Sequence, residues 1–198
     1  MTATRPQAPP CVGSRLLPQT PFWFLRHGET DYNAKGLSQG ALDISLNDNG
    51  RAQAALAGPL LAGKGIAGIV SSPMVRTRET TEIVNNVLGL PVTFEPELRE
   101  VIFGGMEGKP LLPWFHDWLA GTYTPEGAET FAALTIRVQA AMARVLARPG
   151  PVLVVAHGGV FRAIRTLLDA PEAGFTANAQ PLLCEPLARS WRITALET

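Results

Sequence analysis

The sequence predicts an α/β protein with a mainly parallel sheet covered by helices on both faces. Short apolar runs at residues 22–26, 66–71 and 151–156 alternate along the chain with segments of helical periodicity. Two of those runs end alike, in Arg26-His27-Gly28 and in His157-Gly158-Gly159. In a parallel sheet such ends lie at the carboxyl edge, where open α/β sheets bind ligands. The chain has 198 residues, 46% of them hydrophobic, enough for one domain with a substantial core.

Taken in order, residues 1–20 are proline-rich and aperiodic, and read as a flexible extension before a single domain, 21–198. The first strand is 22–26. Residues 30–44 are polar and contain glycine, which predicts a loop at the strand end. Asn47 is placed to cap a helix running to Leu61. The strand at 66–71 ends in Ser71-Ser72-Pro73, with the proline in the first turn of a helix over 74–88 that stops at Gly89. A third strand covers 91–94, and Glu97-Leu98-Arg99-Glu100 forms an acidic turn after it. Residues 103–124, rich in Gly, Pro and Trp, predict an irregular lid with one short helix at 114–119. An amphipathic helix is expected over 126–147, with Phe131, Leu134, Val138 and Met142 at helical spacing. Pro149-Gly150 breaks it before the strand at 151–156. A helix over 160–168 starts at the Gly-Gly pair, and 182–187 with 191–196 predict an antiparallel edge hairpin.

The composition narrows the function. Lys plus Arg and Asp plus Glu both total 17, so there is no basic footprint for nucleic acid or a membrane surface. Lys35, Lys64 and Lys109 are the only lysines; the remaining cations are arginines, suited to bidentate recognition of phosphate or carboxylate. Cys11 and Cys184, far apart, give neither a disulfide framework nor zinc spacing. No apolar run is long enough for a signal peptide or a membrane span. The expectation is a cytoplasmic protein.

Four elements end in polar groups able to do chemistry: Arg26-His27, Arg76 in the first turn of its helix, Glu100 after its turn, and His157. Singly, each has a bland reading as a surface or packing residue. Together they would surround one point with two guanidiniums, two imidazoles and a carboxyl, which suits a phosphoryl group. Helix amino ends after Gly28 or Gly159 would add partial positive charge. Flanking cations disfavour protonation of an imidazole, leaving it neutral and nucleophilic toward phosphorus. The second histidine and the arginines would stabilise charge on the transferring oxygens, and a protonated Glu100 could donate to the leaving oxygen. There is no Gly-x-x-x-x-Gly-Lys loop, and His27, His116 and His157 lack local partners at zinc-ligand spacing, so no metal or other cofactor is expected.

The motifs Leu25-Arg-His-Gly-Glu-Thr30 with Asn33, Gln39-Gly40, Leu46-x-x-x-Gly50-x-x-Gln53-Ala54, Ser71-Ser-Pro-x-x-Arg76, Leu98-Arg-Glu100 with Phe103-Gly104, and Val155-Ala-His157-Gly-Gly159 follow one another in an order that resembles the histidine phosphatase superfamily, the phosphoglycerate-mutase-like family. The resemblance spans about 23–168. It implies a three-layer α/β/α sandwich with a short lid insertion. It makes His27 the phosphorylated nucleophile, Glu100 the proton donor, and Arg26, Arg76 and His157 the phosphate pocket. Asn33 would contact the transferred phosphate, and Thr30, Gln39, Gly40 and Gly158 would line the site.

Within the family, mutases carry an insertion with a substrate clamp of Tyr, Lys and an Arg-Arg pair. Here the interval between Glu100 and His157 holds Lys109 and the separate Arg137, Arg144 and Arg148. Pro125-Glu-Gly-Ala-Glu-Thr130 resembles the corresponding turn of the phosphatase branch. The reading is a metal-independent phosphomonoesterase acting through phosphohistidine on a small phosphorylated metabolite. A phosphoglycerate or phosphosugar mutase, and a non-catalytic phosphate binder, are the alternatives. Trp114, Phe115 and Trp118 suggest either a ring-bearing leaving group or lid packing. Thr77 and Arg78 depart from the small residues usual after Arg76, which bears on substrate choice. The terminal edge strand offers a surface for a homodimer.

Overall fold

The structure, a computed structural model, describes residues 16–170, 175–188 and 190–197. Most of the expected extension, Cys11 included, lies outside them. Six strands form one sheet in the order β3-β2-β4-β1-β5-β6. They are β1 (Phe22–Arg26), β2 (Gly68–Ser71), β3 (Val92–Phe94), β4 (Val152–Ala156), β5 (Pro181–Pro186) and β6 (Trp191–Ala195). The first four are mutually parallel, and β5 and β6 close the β1 side as an antiparallel hairpin. The helices are α1 (Asp31–Ala34), α2 (Asp48–Leu61), α3 (Val75–Leu88), α4 (Trp114–Ala120), α5 (Phe131–Leu146) and α6 (Gly158–Leu167).

Strand side chains alternate between faces, so two cores form. Phe22, Phe24, Val152, Val154 and Cys184 face α5 and α6, where Val138, Met142, Phe161 and Ile164 meet them. Trp23, Leu25, Ile69, Leu153 and Val155 face α2 and α3, against Ala57, Leu61 and Val84. This is the α/β/α sandwich. The first core reaches back to Leu17, 3% exposed, so the chain joins the fold before the expected boundary at 21.

Several boundaries differ from expectation, each for a local reason. Residues 30–44 are not all loop, because Thr30 forms a reciprocal capping box with Asn33 and nucleates α1. Pro73 precedes the N-cap Met74 and so stands just outside α3. Helix α5 starts at Phe131 rather than 126. A turn closes from the Ala128 N–H to the Pro125 carbonyl at 3.0 Å, and the Thr130 side chain then caps the helix at the Ala133 amide. Helix α6 starts at Gly158, two residues early, because extended His157 is itself the N-cap.

The ladder fixes the site. β1 and β4 pair in register, Arg26 opposite Ala156, so His27 and His157 leave the sheet side by side. The next strand over, β2, places Ser71 opposite Val155 and delivers Ser72 and then Arg76 to the same edge.

Candidate active site

His27 is fixed from three directions. Its backbone N–H donates to the Ala156 carbonyl at 3.0 Å. The following Gly28 N–H donates to Thr80 Oγ1 at 3.0 Å. The loop then lies directly on the start of α2, where a Cβ on Gly28 would stand 2.3 Å from the Gly50 carbonyl oxygen and one on Gly50 2.0 Å from that of Glu29. Only glycine fits at either position. Glu29 locks the arrangement, accepting from Asn47 and Asn49 through its carboxylate and donating through its amide to Gln53 Oε1.

The ring of His27 has a defined tautomer. Nδ1 lies 2.7 Å from the Gly28 carbonyl, which can only accept, so Nδ1 carries the proton. Nε2 keeps its lone pair toward the pocket. Burial first, then Arg76 and Arg26, hold this imidazole well below its ordinary pKa.

His157 is equally buried, its ring centroid 5.3 Å from that of His27. Both its nitrogens are engaged within the protein. Arg76 Nε donates to Nδ1 at 3.2 Å, and Nε2 therefore donates to Ser72 Oγ at 2.8 Å. Burial, followed by Arg76, His27 and Arg26, holds it well below its ordinary pKa as well. His157 thus stands against Arg76 and is not among the residues that border the pocket. Arg76 is fully buried. Nη1 donates to the Leu42 carbonyl at 2.8 Å and Nη2 to that of Gly40 at 3.1 Å. One hydrogen on each Nη remains for a ligand. Burial lowers its pKa to about 10, against the attraction of Glu100, Asp43 and Glu107, so it stays charged at neutral pH.

Arg26 crosses the pocket, Nη1 donating to the Thr176 carbonyl at 2.6 Å. Its buried Nε has no partner among the described residues, and neither does Gln39 Oε1. Unpartnered buried polar atoms that border a cavity mark where a polar ligand binds. Thr30 does not line the pocket. It turns Asn33 instead: the Thr30 backbone N–H and hydroxyl both donate to Asn33 Oδ1 at 3.2 Å, which leaves the Asn33 amide N–H groups for the pocket. Glu100 Oε1 accepts from Val101 N at 3.1 Å and Oε2 from Gly159 N at 3.0 Å. The amide at the start of α6 is therefore engaged by the Glu100 carboxyl.

Arg26, His27, Asn33, Gln39, Gly40, Arg76, Glu100 and Gly158 all border one pocket of about 80 Å³, several times the space one water needs. Sequence reasoning found these eight. It missed Ser38, Leu37, Leu111, Arg162, Phe175 and Thr176, which carry no motif spacing of their own, and it quoted Ser72 in a motif without giving it a role. The lid tryptophans are packing. Trp118 is fully buried, with Phe103, Phe115 and Phe131 around it, and Trp114 packs on Phe103. Of that cluster Phe103 and Phe115 reach the pocket. Thr77 donates to the Ser72 and Met74 carbonyls and Arg78 lies over the Phe94 ring, so neither departure from the motif touches the site.

The model of the histidine phosphatase superfamily (branch 1) matches residues 22–185. Among curated proteins, the uncharacterized phosphatase PhoE of Bacillus subtilis is 35% identical over 180 residues, covering 88% of this chain and 92% of its own. The probable phosphoglycerate mutase GpmB of Yersinia enterocolitica is 35% identical over 162 residues, 75% of each chain. Among solved structures, a mycobacterial glucosyl-3-phosphoglycerate phosphatase complexed with VO3 superposes with a TM-score of 0.76 at 29% identity, over 90% of this chain and 98% of that one.

Proposed function

The chain belongs to the histidine phosphatase superfamily, and from that premise we propose that it is a metal-independent phosphomonoesterase working through phospho-His27. The observation that carries the chemistry is His27 with Nδ1–H tied to the Gly28 carbonyl, bordering the same pocket as Arg26 and Arg76, whose charges join burial in holding it neutral. Arg26 and Arg76 bind the phosphoryl oxygens and supply the positive charge the transition state needs. Nε2 attacks phosphorus, forming the N–P bond as the P–O bond to the leaving group breaks. The proton on Glu100 passes to the departing oxygen, giving a free alcohol and a Glu100 carboxylate. Water then attacks phospho-His27 and gives a proton back to Glu100. Phosphate leaves and His27 is restored with its lone pair. His157, itself held neutral, orients Arg76.

Hydrolysis is favoured over mutase chemistry by what surrounds the outer pocket. Leu37, Phe103, Leu111, Phe115 and Phe175 line it, with Arg162 the further cation. The cations between Glu100 and His157 are committed elsewhere. Arg137 pairs with Glu129, Arg144 with Glu95, and Arg148 donates to Thr93, while exposed Lys109 lies off the pocket. A carboxylate-and-phosphate clamp is therefore missing among the described residues, and an ester with a partly apolar leaving group is the better fit.

The test is phosphate release from a panel of phosphomonoesters with EDTA present, for the wild type and His27→Ala, with acid- and base-quenched labelling. Release by the wild type, none by the variant, and a base-stable, acid-labile phosphoenzyme are expected. Isomerisation of 3-phosphoglycerate dependent on a bisphosphate primer, without net release, would replace this reading with the mutase.

A further inference from the structure

We infer that Arg137, gripped by Glu129, is a positioning residue for the acid: it sets where the Glu100 carboxyl stands relative to His27. The inference rests on the reading of Glu100 as proton donor. His27 leaves a strand of the sheet and is placed by its ladder. Glu100 is not; it follows the short 3-10 turn Pro96–Leu98, where no strand pairing fixes the backbone. Something else must hold a carboxyl that has to meet a leaving oxygen to within a fraction of an ångström.

Arg137, on the first turns of α5, does this with all five of its N–H groups. Nη1 donates to the carbonyls of Glu97 at 2.7 Å and Arg99 at 2.9 Å. Nη2 donates to the carbonyl of Glu100 itself at 3.2 Å. The remaining donors form a two-point bridge to Glu129, Nε to Oε1 at 2.7 Å and Nη2 to Oε2 at 2.8 Å. Glu129 is anchored in turn. Its N–H donates to the Ile102 carbonyl at 2.8 Å, and its own carbonyl accepts from Trp118 Nε1 at 2.8 Å. The two side chains are only 10% and 13% exposed, unlike a surface ion pair of little energetic weight.

The three carbonyls belong to the residues leading into the Glu100 side chain, so a shift at Arg137 moves the carboxyl directly. Lysine keeps the charge but has three donors on one nitrogen, and cannot span three carbonyls and a carboxylate. A fold-only role would lower stability and slow all substrates alike. A positioning role selects substrates by how much they need the acid.

The experiment compares kcat/KM, which contains departure of the leaving group, for β-glycerophosphate and p-nitrophenyl phosphate in wild type, Arg137→Lys, Glu129→Gln and Glu100→Gln, with thermal melts of each. The alkyl ester needs protonation of its leaving oxygen; nitrophenolate leaves without it. Glu100→Gln is expected to lose roughly 100-fold or more on β-glycerophosphate and far less on p-nitrophenyl phosphate. Arg137→Lys is expected to lose on the order of 10- to 100-fold on the first and less than about 3-fold on the second, with Glu129→Gln moving the same way even where Arg137→Lys fails to fold. Equal losses on both esters in the Arg137 and Glu129 variants, beside a selective loss in Glu100→Gln, would overturn the inference alone. A non-selective Glu100→Gln would overturn both it and the acid role.

Discussion

Two histidines buried in the neutral form make stability depend on acid, and the size follows from linkage. His27 and His157 are both held well below the ordinary value of 6.5, burial being the largest cause in each, with Arg76 next. Unfolding releases them into water, where each takes a proton below about pH 6.5. The unfolded state then binds more protons than the folded one, so stability is complete above that pH and is lost as pH falls below it. Each histidine contributes about 1.4 kcal/mol per pH unit in that window. From pH 7.5 to 5.0 the pair costs at most about 4 kcal/mol, a large part of the 5–15 kcal/mol typical of a domain. For a chain of this length that is a fall in Tm of roughly 10 °C. Glu29, lowered by its bond from Asn47, and Glu95, lowered by Arg144, titrate around their ordinary 4.5 or below and leave this window clear. Urea melts at pH 7.5, 6.0 and 5.0 measure the loss, and a His27→Gln/His157→Gln double variant is expected to lose most of the slope. A wild type that changes by less than about 1 kcal/mol, or a double variant with the full slope, would refute the neutral pair.

Two further substitutions separate site from scaffold. A Cβ at Gly159 would stand 2.6 Å from Glu100 Oε1; the carboxylate is the mobile partner, so Gly159→Ala is expected to keep its fold by circular dichroism while kcat/KM for an alkyl phosphate falls roughly 100-fold. Trp118→Ala empties the fully buried centre of the lid cluster and is expected to cost about 3–5 kcal/mol in a denaturant melt.

The strands and the two histidines were legible because each depends on a local pattern. A four-residue apolar run ending in Arg26-His27-Gly28 implies a buried strand and a turn, and the register of β1 on β4 does the rest. Gly50 and Gln53 were legible only as a family motif. Their physical role, a surface without side chains and a carboxamide for the loop after His27, appears once the chain folds back on α2. The bond from His157 to Ser72, that from Arg26 to Thr176 and the hold of the Arg137–Glu129 bridge on the Glu100 turn were not legible. Their partners lie 85, 150 and up to 40 residues apart in sequence, and no periodicity betrays a pairing at such separation. His157 was legible as a strand-end histidine, but its bonds to Arg76 and Ser72 were not, because a histidine leaving a strand reads the same whatever its ring meets.

His27 and Glu100, the nucleophile and the acid of the proposed reaction, are anchored by different physics, and this bears on how the site can vary. His27 is held by backbone: the Ala156 carbonyl, and two glycines in contact. Substitutions that leave the sheet, the two glycines and Thr80 intact leave it in place. Glu100 is held by side-chain and helix-end donors, Arg137 from behind and the Gly159 amide from the front. Its position therefore responds to α5, to the lid through Trp118 and Glu129, and to the start of α6. The outer pocket is built from the same lid and the same helix, through Phe115 and Arg162. Under the proposed mechanism, a change that reshapes the leaving-group wall is thus coupled to the acid that must protonate that leaving group, while Arg26 and Arg76, assigned to the phosphoryl oxygens, stay fixed. Substrate range can shift in such a site without loss of the phosphotransfer step itself.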